Sequence, residues 1–154
     1  MHETKPPAFQ ILMNWWESTN AGIRIRGATT AEIAGLEHRY DILLPDSFRA
    51  YLAHAATADD PSYDNELTNW WPISRIRNLT EEYENPVRPE IAVYRDRLIF
   101  FADYSIWCWA WAINCYPGKD YGKVACIGGP GGFVADTFDD FIERYIREDP
   151  TLVA

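Results

Sequence analysis

Basic residues are scarce in this sequence of 154 residues. Lysine and arginine total 14, against 23 aspartates and glutamates, so the formal net charge is −9 at pH 7. A nucleic-acid binder needs a basic patch that neutralises phosphates, and this balance therefore argues against DNA or RNA as a partner. It favours a basic protein instead, because complementary fields speed the encounter of two molecules.

Cysteine is also rare, with Cys108, Cys115 and Cys126 as its three occurrences. An odd number without a close Cys-x-x-Cys pair predicts free thiols rather than a disulfide framework, and free thiols are typical of the cytoplasm. The sequence has no apolar run long enough to span a bilayer, and its start lacks the pattern of a signal peptide. We therefore expect a cytoplasmic protein without a membrane-embedded segment.

Sequence motifs of catalysis, cofactor binding and metal binding are missing as well. No Gly-x-Ser-x-Gly or His-Glu-x-x-His motif occurs, and His2, His38 and His54 are too far apart for a zinc site. The glycine-rich stretch 128–132 is not followed by a Lys-Ser/Thr pair, so it predicts a hairpin turn rather than a phosphate loop. The acidic stretch 57–67 lacks the glycine and glutamate of a calcium loop. We expect no catalytic residue, cofactor or metal.

Aromatic residues, in contrast, are abundant, and they are densest in residues 98–113, LIFFADYSIWCWAWAI. Alternation from Trp107 onward is typical of a strand, since successive side chains point to opposite faces. It would place Trp107, Trp109 and Trp111 on one face and small side chains on the other, where a helix can approach. We predict two antiparallel strands that turn near residues 103–105. The three indoles are interpreted either as ordinary core or as a partner or ligand surface.

The remaining periodic segments predict the fold. Helices are predicted from Phe9 to Trp16, after a capping box of Thr29 and Glu32, and over 45–56, 74–83 and 137–148. Strands are predicted over 98–102, 107–113, 123–127 and 133–135. This order indicates an α+β fold: one compact domain with an antiparallel sheet of about four to six strands and helices packed on one side. We expect residues 1–28 to form an N-terminal helix and connector, and residues 29–150 to form the α+β domain.

An acidic loop and the centre of the hairpin supply the candidate site residues. The loop 57–67 carries four carboxylates and no lysine or arginine, and aromatic residues lie in it or follow it. It is interpreted either as a solvated loop or as a partner-binding patch with aromatic anchors. The aspartate within the apolar hairpin is interpreted as a turn residue, with a catalytic acid as the alternative. The partner-binding candidates are Asp59, Asp60, Tyr63, Asp64, Glu66, Trp70, Asp103 and Tyr104.

Several short motifs in a fixed order resemble the SUKH superfamily, also called the Smi/Knr-like family. The most specific are Leu44-Pro45-x-x-Phe48-x-x-Tyr51-Leu52 and Thr137-Phe138-x-x-Phe141, and the resemblance covers about residues 30–147. The helix with Trp15 and Trp16 lies outside it. Residues 104–106, Tyr-Ser-Ile, replace the small glycine-containing turn that is usual after this strand.

The resemblance implies an α+β domain and a non-catalytic role. Most bacterial members are immunity proteins that bind and neutralise a toxin, often a nuclease. It therefore implies a cognate toxin domain as the partner, without identifying the binding residues or the oligomeric state, and the net charge of −9 leads us to expect that this domain is basic. Two other interpretations stay open. One is a small-molecule binder or enzyme with an aromatic pocket near Asp103, and the other is a regulatory interaction scaffold.

Overall fold

A computed structural model describes residues 5–129 and 131–153 of the chain, and Pro130 of the predicted glycine-rich turn and His2 lie outside these residues. Within them, an antiparallel sheet of five strands follows the chain order β1-β2-β3-β4-β5. The strands are β1 Thr68–Trp70, β2 Leu98–Tyr104, β3 Trp109–Asn114, β4 Val124–Ile127 and β5 Gly132–Ala135. The helices are α1 Ala8–Ser18, α2 Thr30–Tyr40, α3 Asp46–Ala55, α4 Leu79–Glu82, α5 Pro89–Ala92 and α6 Phe138–Ile146. The predicted α+β class is confirmed.

The longer helices begin where the sequence predicts. Thr29 accepts a hydrogen bond from the backbone of Glu32, and the Glu32 carboxylate accepts one from the backbone of Thr29, which completes the predicted capping box. Thr137 caps α6 through the Asp140 amide. Each such bond satisfies an amide that the helix itself leaves unpaired.

One face of the sheet is covered by α3 and α6, with α1 packed against both helices. Phe101 contacts Phe48 of α3 and Phe138 of α6, with ring centroids 5.6 and 5.5 Å apart. Trp111 packs on Phe141 at 5.4 Å. The long helices therefore lie on the indole side of β3, and not on the side of small residues where the sequence suggested a close approach.

The opposite face is covered by the segment 73–97. Phe100 and Ala112 pair across β2 and β3, and Phe100 packs on Trp71 with 5.9 Å between the ring centroids. The helix predicted over 74–83 is wrong in extent, because the segment contains a 3-10 turn at Ile73–Arg75 and the single-turn helix α4. Small side chains on β3 let these irregular segments lie close to the sheet.

The hairpin between β2 and β3 differs from the prediction. β2 continues through Tyr104, and the turn occupies residues 105–108 instead of 103–105. Trp107 therefore lies in the turn, where it stacks on Tyr83 at 5.3 Å and contacts Phe100 at 5.4 Å. The prediction of three indoles on one face is wrong for Trp107, since only Trp109 and Trp111 alternate within the strand.

None of the helices within residues 5–129 and 131–153 is long and apolar enough to cross a membrane. Cys108, Cys115 and Cys126 are free thiols; Cys108 is exposed and the other two are buried. Burial raises the pKa of both Cys115 and Cys126 to about 12, so these thiols stay protonated at neutral pH.

Candidate functional site

Asp64 of the acidic loop is a buried structural centre. Its Oδ1 accepts hydrogen bonds from the amides of Glu66 and Thr68, at 2.9 and 3.1 Å. Its Oδ2 accepts from Trp70 Nε1 at 2.9 Å and from the Tyr145 hydroxyl at 2.5 Å. Four donors satisfy a carboxylate that is 4% exposed. Asp64 thereby ties the loop to β1 and α6, and both it and the fully buried Trp70 lie below the surface.

Asp103 has the same character on the other side of the sheet. Its Oδ1 accepts from Trp71 Nε1 at 2.6 Å and from Asn69 Nδ2 at 3.2 Å, and its Oδ2 accepts from the Trp107 amide at 2.8 Å. The last bond caps the turn, as the sequence predicts for a turn aspartate. With both oxygens engaged and 4% of the residue exposed, Asp103 holds the hairpin in shape.

The exposed acids of the loop have arginine partners from elsewhere in the chain. Asp59 lies 3.4 Å from Arg24, and Asp60 lies 3.7 Å from Arg75. The loop sequence contains no countercharge, but the fold brings one to each of these aspartates. Such exposed pairs are weak, so both carboxylates stay accessible. Tyr63 lies between them and β1, bridged to Asn69, and is 37% exposed.

An apolar tip projects where the acidic loop meets the hairpin. Ser105, Ile106 and Trp107 have φ values of 43°, 57° and 60°, and Leu67 has 66°. The Ser105 amide donates to the Leu67 carbonyl at 2.9 Å, which joins the two turns. Ile106 is 86% exposed and Leu67 is 52% exposed. We call the exposed side chains of Leu67 and Ile106 the tip.

The left-handed conformation at the tip is unfavourable for these residues. A β-branched side chain such as that of Ile106 disfavours positive φ, and such backbone strain concentrates at binding and active sites. The side chain of Ile106 also buries almost no apolar surface. An isoleucine at position 106 therefore makes no evident contribution to folding.

A pocket of about 190 Å³ opens beside the tip, on the face of the sheet that carries the long helices. Thr68, Tyr104 and Trp109 are cross-strand neighbours in β1, β2 and β3. The rings of Tyr104 and Trp109 stack at 4.2 Å with an interplanar angle of 5°. The pocket lies beyond the end of α6, where residues 150–153 pack against β5 and the Leu152 carbonyl accepts a hydrogen bond from Trp111 Nε1 at 2.9 Å. Its other lining residues are Glu66, Trp111, Tyr145, Glu148, Asp149, Pro150, Leu152 and Val153.

Two glutamates meet at this pocket. A hydrogen bond between the carboxyl groups of Glu66 and Glu148 raises the pKa of Glu66; burial, the charge of Glu148 and the charge of Asp64 raise it further. Within residues 5–129 and 131–153, neither glutamate forms an ion pair with a basic side chain. Glu148 follows Arg147, the C-terminal cap residue of α6, and has a φ of 57°. The pocket we call the tip pocket therefore carries negative charge that the described chain does not neutralise.

Two polar groups of the tip pocket have hydrogen-bonding capacity that the described residues leave unused. Thr68 is 1% exposed, and its Oγ1 accepts no hydrogen bond within the part of the chain that the structure describes. The buried Trp109 Nε1 donates none there. Buried polar groups are nearly always paired in folded proteins. A ligand that offers a donor to Thr68 would satisfy one of these groups.

Comparison with known families gives a match that spans most of the chain. The profile of the SMI1 / KNR4 family (SUKH-1) matches residues 27–144. The chain belongs to the SMI1/KNR4 family (SUKH-1). The predicted resemblance is thereby confirmed. Among curated proteins, the comparison finds no sequence that matches.

The tip, Glu66 and the strand residues that line the tip pocket lie within the SUKH-1 match, and two flanking parts lie outside it. Those parts are α1, which precedes residue 27, and the segment 145–153, which follows residue 144 and supplies the rest of the pocket lining. This member of the family therefore completes its tip pocket with residues beyond the shared region.

The predicted site residues fall into three groups within this SUKH-1 fold. Asp59, Asp60 and Tyr63 are exposed on the loop, and Glu66 and Tyr104 line the tip pocket. Asp64, Trp70 and Asp103 are buried and support the loop and the hairpin. Sequence reasoning missed Leu67, Ile106 and Glu148. The signal for Ile106 was an apolar residue in a turn that usually contains glycine, whereas nothing in the sequence brings Glu148 to Glu66.

The structure provides no metal centre within residues 5–129 and 131–153, since no group of three or more His, Cys, Asp or Glu side chains there has a metal-binding arrangement. Asp103, the alternative catalytic acid, does not line the tip pocket. The pocket of this SUKH-1 protein thus offers carboxylates and aromatic rings for binding.

Proposed function

We propose that this chain is an immunity protein that binds a cognate bacterial toxin domain and neutralises it by contact, without catalysis. The observation that carries the proposal is the tip: two exposed aliphatic side chains on strained backbone, beside a pocket with unneutralised carboxylates. Membership of the SUKH-1 family supports a toxin as the partner. The partner acts in the cytoplasm, where the immunity protein meets it.

The tip has the composition of a binding site. Apolar anchors at the centre of an interface, with charged groups around them, supply most of the affinity and exclude water. Leu67 and Ile106 are such anchors, and Tyr63 adds an aromatic ring on the same loop. Both anchors project from turns, where they reach a partner without rearrangement of the sheet.

The acidic residues of the loop and of the tip pocket determine which kind of partner is attracted. Asp59 and Asp60 are exposed on the loop, and Glu66 and Glu148 line the tip pocket, in a protein whose net charge is −9. A basic toxin domain is therefore attracted before contact. If that toxin is a nuclease, its phosphate-binding surface has the required lysines and arginines.

Co-expression tests the proposal. Cells that produce the toxin domain encoded next to the gene for this chain survive when the wild-type chain is present. The double variant Leu67→Asp/Ile106→Asp loses this protection, because aspartate removes the apolar anchors and yet tolerates positive φ. Leu43→Asp is the matched control: Leu43 is 66% exposed and its backbone contacts Tyr121, beyond the opposite end of β3. Full protection by the tip variant would contradict the proposal.

Charge reversal tests whether the exposed aspartates of the loop speed the association of the protein with its toxin. Asp59→Lys/Asp60→Lys slows association with the purified toxin domain and weakens the salt dependence of that rate. The reversal excludes Asp64, because its buried carboxylate accepts four hydrogen bonds and a lysine there would disrupt the loop. Unchanged association rates at low and high salt would remove these two aspartates from the interface.

Small-molecule binding is the second candidate function, and the tip pocket is the place where it would occur. The pocket encloses about 190 Å³, below the roughly 300–1,000 Å³ that is typical of small-molecule sites. Trp109 and Trp111 line this pocket. Trp107 and Asp103, which belonged to the predicted aromatic pocket, do not. A single side chain of a partner is the better match for this volume. A regulatory scaffold would bind its partner through the tip as well. It would be distinguished from an immunity protein by the co-expression test, because it would give no protection from a toxin.

A further inference from the structure

An arginine inside this protein shows how its indoles and carboxylates hold a guanidinium group. On the face of the sheet opposite to Trp111, the Arg75 guanidinium carbon lies 3.9 Å from the centroid of the Trp71 ring. Its Nη1 and Nη2 donate to the two carboxylate oxygens of Glu82, at 2.7 and 3.1 Å. Stacking on a ring and a two-pronged bond to a carboxylate are the typical contacts of arginine.

The tip pocket contains the same kinds of group without the arginine. Trp109 and Tyr104 supply stacked rings, and Glu66 and Glu148 supply adjacent carboxyl groups. No lysine or arginine is among the residues that line it. The carboxyl groups repel each other unless a proton or a cation lies between them. A cation from outside would relieve that repulsion.

Thr68 gives an independent indication of a ligand. Its side chain is almost fully buried among the lining residues of the pocket, and its hydroxyl oxygen accepts no hydrogen bond within the described residues. The neighbouring Tyr145 hydroxyl donates to Asp64 and not to Thr68. An N–H donor that enters the pocket would pair with Thr68 Oγ1, as buried polar groups require.

We infer that the tip pocket binds an arginine side chain of the toxin, with its guanidinium group between Glu66 and Glu148 and against the rings of Tyr104 and Trp109. The inference rests on the proposed function and names one contact of it. Arginine fits better than lysine for three reasons. Its planar fork donates to two carboxylates at once, it stacks on aromatic rings, and it carries further donors for Thr68.

Nuclear magnetic resonance with small probes tests the pocket without the toxin. The probe is N-acetyl-arginine amide, and the readout is the set of tryptophan indole N–H signals, with that of Trp109 assigned through Trp109→Phe. Arginine amide should shift the Trp109 signal in a saturable way. N-acetyl-citrulline amide, which has nearly the same shape without the charge, should leave it unchanged.

Paired variants decide whether the two glutamates are responsible. Glu66→Gln/Glu148→Gln should weaken arginine binding at least about tenfold, because both charged acceptors are lost. Glu84→Gln/Asp139→Asn removes the same charge from exposed positions that form no ion pair in the described residues, and it should bind as the wild type does. Equal binding by both double variants would overturn the inference. An equal response to N-acetyl-lysine amide would overturn the assignment to arginine.

Co-expression then separates this contact from the proposed function. If the tip variant loses protection and the glutamate double variant keeps it, the chain is an immunity protein whose pocket takes no arginine. If arginine amide shifts Trp109 and the wild-type chain gives no protection, the pocket binds arginine and the toxin proposal fails. Loss of protection in the glutamate variant together with weaker arginine binding is the result that the inference predicts.

Discussion

At the scale of single residues, the acidic side chains of this protein have different roles that their sequence positions do not reveal. Asp64 and Asp103 are buried acceptors, Asp59 and Asp60 are exposed, and Glu66 meets Glu148. All but Asp103 and Glu148 lie in one acidic loop, so the sequence predicts a single patch. Burial depends on contacts such as that of Asp64 with Tyr145, 81 residues away. Such contacts leave no local pattern, and the site could be predicted only in part.

Asp103→Asn tests the buried acceptor in the hairpin. The amide group keeps the shape of the side chain, but one of its two ends becomes a donor that faces either Trp107 N or Trp71 Nε1. We expect the free energy of unfolding to fall by about 1–3 kcal/mol, the cost of leaving a buried donor unpaired. Urea denaturation measures it. Stability equal to that of the wild type would mean that Asp103 does not hold the turn.

Glu66→Gln tests the carboxyl pair through pH. The fold raises the pKa of Glu66 above its ordinary value of 4.5, so this group favours the folded state most below that value and less as the pH rises through the raised pKa. Removing the charge should therefore raise Tm near neutral pH, and the gain should vanish below about pH 4.5. Glu84→Gln should show no such gain. A Tm gain that is independent of pH would exclude Glu66 as its source.

At the scale of elements, periodicity predicts the regular segments and fails in the irregular ones. The stripe of Phe138, Phe141, Ile142 and Tyr145 predicts α6 correctly, because one face of that helix is buried along its length. In the segment 73–97 the spacing of Ile76 and Leu79 suggests a helix, but the chain forms short helical turns there that each bury at most one residue. Trp107 continues the alternation of β3 in the sequence, but it lies in the four-residue turn that precedes the strand.

Truncation of the buried rings tests how firmly α6 is docked. Phe138→Ala and Phe141→Ala should each lower the free energy of unfolding by about 3–5 kcal/mol, because both rings are fully enclosed between the sheet and the helices. Asp139→Ala, on the exposed side of the same helix, is the control for helix propensity. Denaturation midpoints that match this control would show that α6 is not part of the core.

Ile106→Asn tests the strain at the tip. Asparagine tolerates a φ of 57° better than isoleucine does, and the side chain of residue 106 buries almost nothing. The variant should gain up to about 1 kcal/mol in the free energy of unfolding and lose affinity for the toxin. Val93→Asn, an exposed β-branched residue at an ordinary φ of −63°, should gain nothing. A destabilised Ile106→Asn would show that isoleucine serves the fold.

At the scale of the whole molecule, charge and composition favour a class of partner but say nothing about its place of binding. The net charge of −9 favours a basic protein, which stays a prediction. Membership of the SUKH-1 family supports the proposal that this partner is a toxin. The surface itself depends on the meander, which brings the turn after β2 next to the loop before β1 and to the segment after α6. Three parts distant in sequence thus form one candidate interface.

Hydrogen–deuterium exchange of the chain, free and bound to its toxin domain, tests this surface most directly. Toxin binding should slow exchange in residues 63–69, 104–109 and 147–153, because these segments form the tip and the tip pocket. Exchange in α2 and in the turn between β3 and β4, at the other end of the sheet, should stay the same. Protection confined to α2 and that turn, with the tip unchanged, would contradict the account.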